Sequence, residues 1–206
     1  SPYVRRVAVS LHQLGLPFTH RSLSVFRQFD DFHQVNPVVK APTLVCDDGT
    51  VLMDSTLILD LAEALAARAS PSRSLMPADV LSRQRALRRI GLALAALEKT
   101  VQIVYERALR PPEMRYAPWI ERVTGQLRDA LAELEAGFEH DLPAAPPGLD
   151  QAGITAAVAW TFIVDARPAG VDLTACPRLA AWTALAEAQP ALRVAPHGDG
   201  TYPVTR

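Results

Sequence analysis

A small α/β domain followed by an all-helical one is the architecture this sequence predicts, and three observations carry it. Up to about Ala69, helix and strand patterns alternate. Beyond that point every periodic stretch is helical. Between the two lies "ASPSRSLMPAD", whose prolines, serines and small residues are linker composition. The expected division is therefore 1–69 for the first domain, 70–78 for the linker and 79–206 for the helical domain.

The first domain opens on a helix over about 2–14, with an apolar face at Val4, Val7, Ala8, Leu11 and Leu14. Pro2 suits its first turn, where a missing N–H costs nothing, and Gly15 offers a stop. "PFTHRSL" predicts a short strand, and "SVFRQFDDFHQVNP" an irregular or weakly helical stretch. "APTLVCDD" and "TVLMDS" predict two strands joined across Asp48-Gly49, a strong short-range hairpin signal. Ser55 is expected to cap the next helix, with Ile58, Leu61, Ala62 and Leu65 among its apolar residues.

The second domain contains two long helices. Leu87, Ile90, Leu94, Leu97, Val101, Val104 and Ala108 form the stripe of one; Ile120, Val123, Leu127, Leu131, Leu134 and Phe138 form that of the other. The prolines of "ALRPPEMRYAP" break the chain between them, and "DLPAAPPGLD" breaks it again. Asp150 is placed to cap "QAGITAAVAWTFIV", a helix apolar on most faces and so expected at a bundle's centre. "PRLAAWTALAEAQPAL" predicts a last helix with Leu179, Trp182 and Leu185 inward, and "APHGDGTYPVTR" an irregular tail.

Composition removes several function classes. Nearly half the residues are apolar, enough for a core, and the formal charge of −1 offers no basic excess for nucleic acid or an anionic membrane. The longest apolar runs, such as "GLALAAL", are too short to span a bilayer. Cys46 and Cys176 lie far apart, with neither metal nor redox spacing, and read as reduced thiols of a cytosolic protein. The five histidines form no H-x-x-x-H pair.

Three pieces, "SPYVRRV", "NPVVKAPTLV" and "VLMDSTLILDLAEAL", follow one another at close spacing. As an ordered set they resemble the N-terminal, thioredoxin-like domain of the cytosolic glutathione transferases. The helical remainder, including "CPRLAAWTALAEAQPAL", resembles their C-terminal domain. The likeness is greatest to bacterial transferases with a serine at the active site. It implies a four-stranded mixed sheet with helices, then a helical bundle. It implies glutathione as co-substrate, a small hydrophobic electrophile, a cytoplasmic homodimer, and no metal, nucleic acid or membrane. In that fold a strand precedes the first helix, so an upstream segment of under about ten residues is expected.

Glutathione has one thiol, two carboxylates and one amine, and an enzyme using it must hold the charges and make thiolate. Ser1 matches the position at which thioredoxin-like proteins carry their reactive residue, at the start of the first helix. Alone, it reads as a helix cap; beside the other motifs, it reads as a hydroxyl donating to the glutathione sulfur. An unperturbed thiol titrates near ~8.5, and each unit of depression needs ~1.4 kcal/mol. A helix end supplies ~0.3–1 kcal/mol and a hydrogen bond to a charged group ~1.5–3 kcal/mol, together one to two units.

The resemblance makes Pro42 a cis proline that turns the backbone of Ala41 towards the cysteinyl unit, like a short added strand. Read without it, Pro42 is a trans proline starting a strand. Lys40 is either a cation for the glycyl carboxylate or a solvated lysine, and Arg27 is a second candidate for that carboxylate. Asp54 and Ser55 match the pair that grips the γ-glutamyl end: Ser55 for its carboxylate at a helix start, Asp54 for its ammonium group. Tyr3, Tyr105 and Arg107 are candidates for the electrophile side, while Trp160 reads as core. Competing activities are peroxide reduction or thiol transfer with glutathione, the latter normally wanting cysteine at position 1. A non-catalytic binding protein of the same fold is the third reading.

Overall fold

The computed structural model describes residues 1–70, 72–140 and 149–203. Its contacts group the chain into two compact units, Ser1–Leu75 with the segment from Pro190 onward, and Met76–Gln189. The first unit thus takes in the tail that the sequence assigned to the helical domain. The expected linker is also shared out, because Glu63 accepts hydrogen bonds from the Ser74 hydroxyl (2.6 Å) and the Leu75 N–H (2.9 Å) and keeps that stretch on the first unit.

In the first unit, helix α1 (Pro2–Leu14) carries proline in its opening turn. It ends at Gly15, whose left-handed backbone (φ 66°) lets its N–H reach the carbonyls of His12 and Leu11. A Cβ there would also stand 3.2 Å from the Arg73 guanidinium. Short helix α2 (Phe29–Val35) buries Phe32. Strands β1 (Leu44–Val45) and β2 (Val51–Leu52) pair antiparallel across the predicted Asp48-Gly49 turn. Gly49 supplies the positive φ (84°), and the Asp48 carboxylate accepts from the Thr50 N–H at 2.9 Å. Helix α3 (Ser55–Ala69) packs on α1, as does α8 (Pro190–Arg193).

Several expectations change here. Among the described residues the sheet has two strands, where the sequence predicts three, with a fourth expected upstream. "PFTHRSL" is not a strand, because no neighbouring strand offers its backbone a ladder. The cap of α3 is Asp54, which accepts from the Thr56 N–H at 2.9 Å, and Ser55 is the first helical residue. The buried face of α3 is Ser55, Ile58, Leu59, Ala62 and Ala66; Leu61 is half-buried and Leu65 exposed.

The second unit is a bundle of α4 (Val80–Ala108), α5 (Ala117–His140), α6 (Gln151–Ala166) and α7 (Pro177–Glu187). Helix α6 is buried along nearly its whole length, as its composition predicts, and packs on α4 and α7. Asp150 caps it, accepting from the Gly153 N–H at 2.6 Å. On α5 the stripe Val123, Leu127, Leu131, Leu134 and Phe138 is buried as expected. On α4 the buried stripe is shifted to Ala86, Arg89, Ile90, Ala93, Ala96, Leu97, Thr100 and Ile103, and Leu87 faces solvent. Helix α7 buries Leu179 and Trp182 but exposes Leu185. It ends at Glu187, so the predicted last helix is two helices, α7 and α8. Its start is capped from α5: the Glu135 carboxylate accepts from the N–H groups of Arg178 and Leu179, both at 2.9 Å. The expected break at "DLPAAPPG" lies outside the described residues.

Candidate functional site

The start of α1 is chemically simple. Ser1 stands at the N-cap, exposed, and its carbonyl accepts the Arg5 N–H at 3.1 Å. Its side chain makes no capping hydrogen bond, so the hydroxyl is not used as a cap. No acidic residue lies in the first turn to offset the positive end of the helix.

The loop after α2 is built by one buried asparagine. Asn36 is 2% exposed. Its amide donates to the Thr43 hydroxyl (2.8 Å) and to the Met53 sulfur (3.3 Å), and its Oδ1 accepts from the Val38 N–H (3.0 Å). Its carbonyl takes the Val39 N–H at 2.9 Å. These bonds hold Val39, a β-branched residue, at φ 50°, where such residues are seldom found. The Thr43 hydroxyl returns to the Lys40 carbonyl at 2.6 Å. Within this frame the Ala41–Pro42 bond is cis, and Pro42 is buried. The Met53–Asp54 bond is cis as well. Asn36 therefore ties the proline loop to the strand end that leads into Asp54 and Ser55.

At the start of α3, Ser55 is 2% exposed. Its hydroxyl accepts a hydrogen bond from the Arg6 guanidinium at 3.0 Å, which also reaches the Thr56 hydroxyl at 3.3 Å. Arg6 is itself buried. Burial pulls its guanidinium down to about 10, against an opposing push from Asp54 and Tyr3, and it stays protonated at neutral pH. Ser55, Thr56 and Arg6 thus join the start of α3 to the second turn of α1.

The other predicted residues are dispersed. Lys40 is exposed directly before the cis bond. Arg27 is exposed and pairs with Asp199 at 3.2 Å. Tyr3 is half-buried on α1. Tyr105 and Arg107 lie exposed near the end of α4, the Arg107 carbonyl taking the Arg115 guanidinium at 2.7 Å. Tyr3 and the α4 pair fall in different units. Trp160 is buried on α6, as a core residue would be. No group of three His, Cys, Asp or Glu among the described residues could hold a metal ion, and no helix among them is long and apolar enough to cross a membrane. Sequence reasoning missed Arg6 and Asn36. For Arg6 the sequence offers only an arginine doublet on a helix that also carries Ser10, His12 and Gln13; for Asn36, it offers the asparagine of the quoted "NP".

Known proteins match this arrangement over nearly the whole chain. Residues 1–71 match the family model for the glutathione S-transferase N-terminal domain, and residues 117–185 that for the C-terminal domain. A glutathione transferase family member from Pseudomonas fluorescens Pf-5, solved with bound glutathione, is 31% identical with a TM-score of 0.74, over 94% of this chain and 93% of that one. A glutathione S-transferase from Methylobacterium radiotolerans, solved in complex with glutathione sulfonate, is 26% identical with a TM-score of 0.75, over 94% and 89%. An uncharacterized GST-like protein of Escherichia coli is 25% identical over 135 residues, a match spanning 66% of this chain and 64% of that protein's length. By fold, by the paired domain matches and by these relatives, the chain belongs to the glutathione S-transferase family.

Proposed function

We propose that the protein binds glutathione on its first unit and conjugates the thiolate to small hydrophobic electrophiles. The observation that carries this reading is the Asp54-Ser55 pair at the start of α3, with the Ser55 hydroxyl oriented by a buried cation. A γ-glutamyl carboxylate would take the Ser55 N–H and hydroxyl at the positive end of the helix. Asp54 commits Oδ1 to its cap and offers its other oxygen to the ammonium group. The backbone of Ala41, turned by the cis bond, would pair with the cysteinyl unit as an added strand does. Lys40 is the cation proposed for the glycyl carboxylate, since Arg27 would first have to release Asp199. The relatives solved with glutathione and with glutathione sulfonate bound support the same ligand here.

Ser1 is the proposed catalytic residue. Its uncommitted hydroxyl, at a helix end without acidic neighbours, would donate to the sulfur and favour the thiolate. The thiolate lone pair then forms the S–C bond, and a leaving halide departs with the bonding pair. The thiol proton has already passed to solvent, and no oxidant is required. A homodimer is proposed by family likeness, and light scattering at micromolar concentration tests it.

Calorimetry with glutathione, followed by turnover of a chloronitrobenzene, tests the function on the parent and on Ser1→Ala. Binding is expected in both, with turnover reduced about ten- to hundredfold in the variant, the worth of one hydrogen bond to a charged sulfur. Absence of glutathione binding by the parent would remove every glutathione-dependent reading. Binding with no turnover of electrophile or peroxide would make this a binding protein. Full activity in Ser1→Ala would take Ser1 out of the mechanism.

A further inference from the structure

We propose that Arg6 is a positioning residue that turns the Ser55 hydroxyl proton towards the ligand and so favours a ligand whose α-carboxyl group is ionised. The inference rests on the glutathione-binding role given above to Asp54 and Ser55, and adds a residue and a selectivity to it.

The argument is a count of hydrogens and lone pairs. A serine hydroxyl has one proton to donate and two lone pairs to accept with, whereas a guanidinium only donates. The 3.0 Å contact from Arg6 Nη1 therefore uses a lone pair of Ser55 Oγ. The same nitrogen meets Thr56 Oγ1 at 3.3 Å in the same sense. Approached by a fixed cation, each hydroxyl keeps its proton for an acceptor. Ser55 is buried at the first residue of α3, where its own N–H is one of the helix's unsatisfied donors. The Ser55 N–H and hydroxyl proton are presented there as donors, with a positive charge one hydrogen bond behind.

Asp54 adds the opposite sign beside it, close enough to act on Arg6 electrostatically. The pair suits a zwitterionic amino-acid head, carboxylate on the Ser55 side and ammonium on the Asp54 side. Tyr3 is the other titratable group that acts electrostatically on Arg6. A carboxamide in place of the α-carboxylate would keep one acceptor oxygen but set an NH2 donor against the Ser55 hydroxyl proton and N–H, and would lose the attraction of the buried cation. A lysine could supply the charge, as a compact ammonium in place of the planar guanidinium.

The test is a ratio of affinities measured by calorimetry: glutathione against its analogue bearing a carboxamide at the γ-glutamyl α-carbon. The parent should prefer glutathione by at least about tenfold, or ~1.4 kcal/mol. Arg6→Gln, which keeps a donor and removes the charge, should bring the ratio close to one. Arg6→Lys should restore most of it. A purely architectural role for Arg6 would weaken both ligands alike and leave the ratio unchanged, and that result overturns the proposal. If Arg6→Gln does not stay folded, Arg6→Met gives the same reading. A parent that binds both ligands equally overturns the proposal without any variant, and leaves glutathione binding itself standing. A parent that binds neither overturns the site as a whole.

Discussion

In the second unit, α6 is buried along nearly its whole length and meets its neighbours through alanines, Ile154, Val158 and Trp160. In the first, two of the largest fully buried side chains are arginines, adjacent on one helix. Arg5 donates from Nε to the Ala195 carbonyl at 2.7 Å and from Nη2 to Leu192 at 3.4 Å; Arg6 holds Ser55 and Thr56. Neighbouring residues on a helix point about 100° apart, so one turn of α1 serves two segments far apart in the sequence. Apolar burial is non-directional and grows with area, and it makes the second unit a scaffold. Buried polar ties are directional, and they fix particular loops in the first. The residues proposed to bind glutathione belong to the unit organised by direction.

The comparison can be broken most forcefully at Phe138. This side chain is fully buried, packs near Trp182 with ring centroids 6.1 Å apart and carries the Arg89 guanidinium 5.3 Å from its centroid. Phe138→Ala should cost about 3–5 kcal/mol. All three tryptophans, Trp119, Trp160 and Trp182, lie within Met76–Gln189, so urea unfolding followed by tryptophan fluorescence reads this unit selectively. An unchanged midpoint would contradict the apolar account.

Arg5→Met is the matching break in the first unit. The Ala195 and Leu192 carbonyls would lose a buried donor, at about 1–3 kcal/mol. The loss should appear as faster amide exchange over 190–203, with the tryptophan transition unmoved. Exchange raised evenly across both units would mean that Arg5 is general packing and not a tie.

The mildest test uses pH. The Tyr202 N–H donates to His20 Nδ1 at 3.0 Å, and the two rings stack 4.4 Å apart. Burial is the main cause that lowers His20 below its usual value, so the unfolded chain binds the extra proton first. The stabilisation is complete above about 6.5, the unfolded value, and fades as pH falls through the lower folded value. Acid should therefore release the tail, because a protonated Nδ1 cannot accept. Exchange of the Tyr202 amide beyond the intrinsic pH trend, measured between neutrality and pH 5, checks it; an exchange rate following that trend alone would refute it.

The features legible in the sequence were those with local causes. Gly15, Asp48-Gly49 and Asp150 each act within a few residues, and each sits where its chemistry places it. Leucine spacing was less reliable. On α4 the neighbours pack against Ala86, Ala93 and Ala96, whose small size permits close approach, so Leu87 turns to solvent while Leu94 and Val101 stay half-buried. The same preference for a close, small-residue face leaves Leu65 and Leu185 outside. At the proposed site, Pro42, Asp54 and Ser55 were singled out from motif order. Arg6 and Asn36 were not, because their partners, Ser55 and Met53, lie 49 and 17 residues away. An arginine that will be buried looks no different in a sequence from one that will be solvated.

The discontinuity of the first unit has a consequence during synthesis. A ribosome makes Arg5 well before the carbonyls of Leu192 and Ala195, which follow only after all of Met76–Gln189 has been translated. Domains ordinarily fold in the order they emerge. Here the unit made first is the one finished last, and its α1 waits for a partner that the helical bundle must precede.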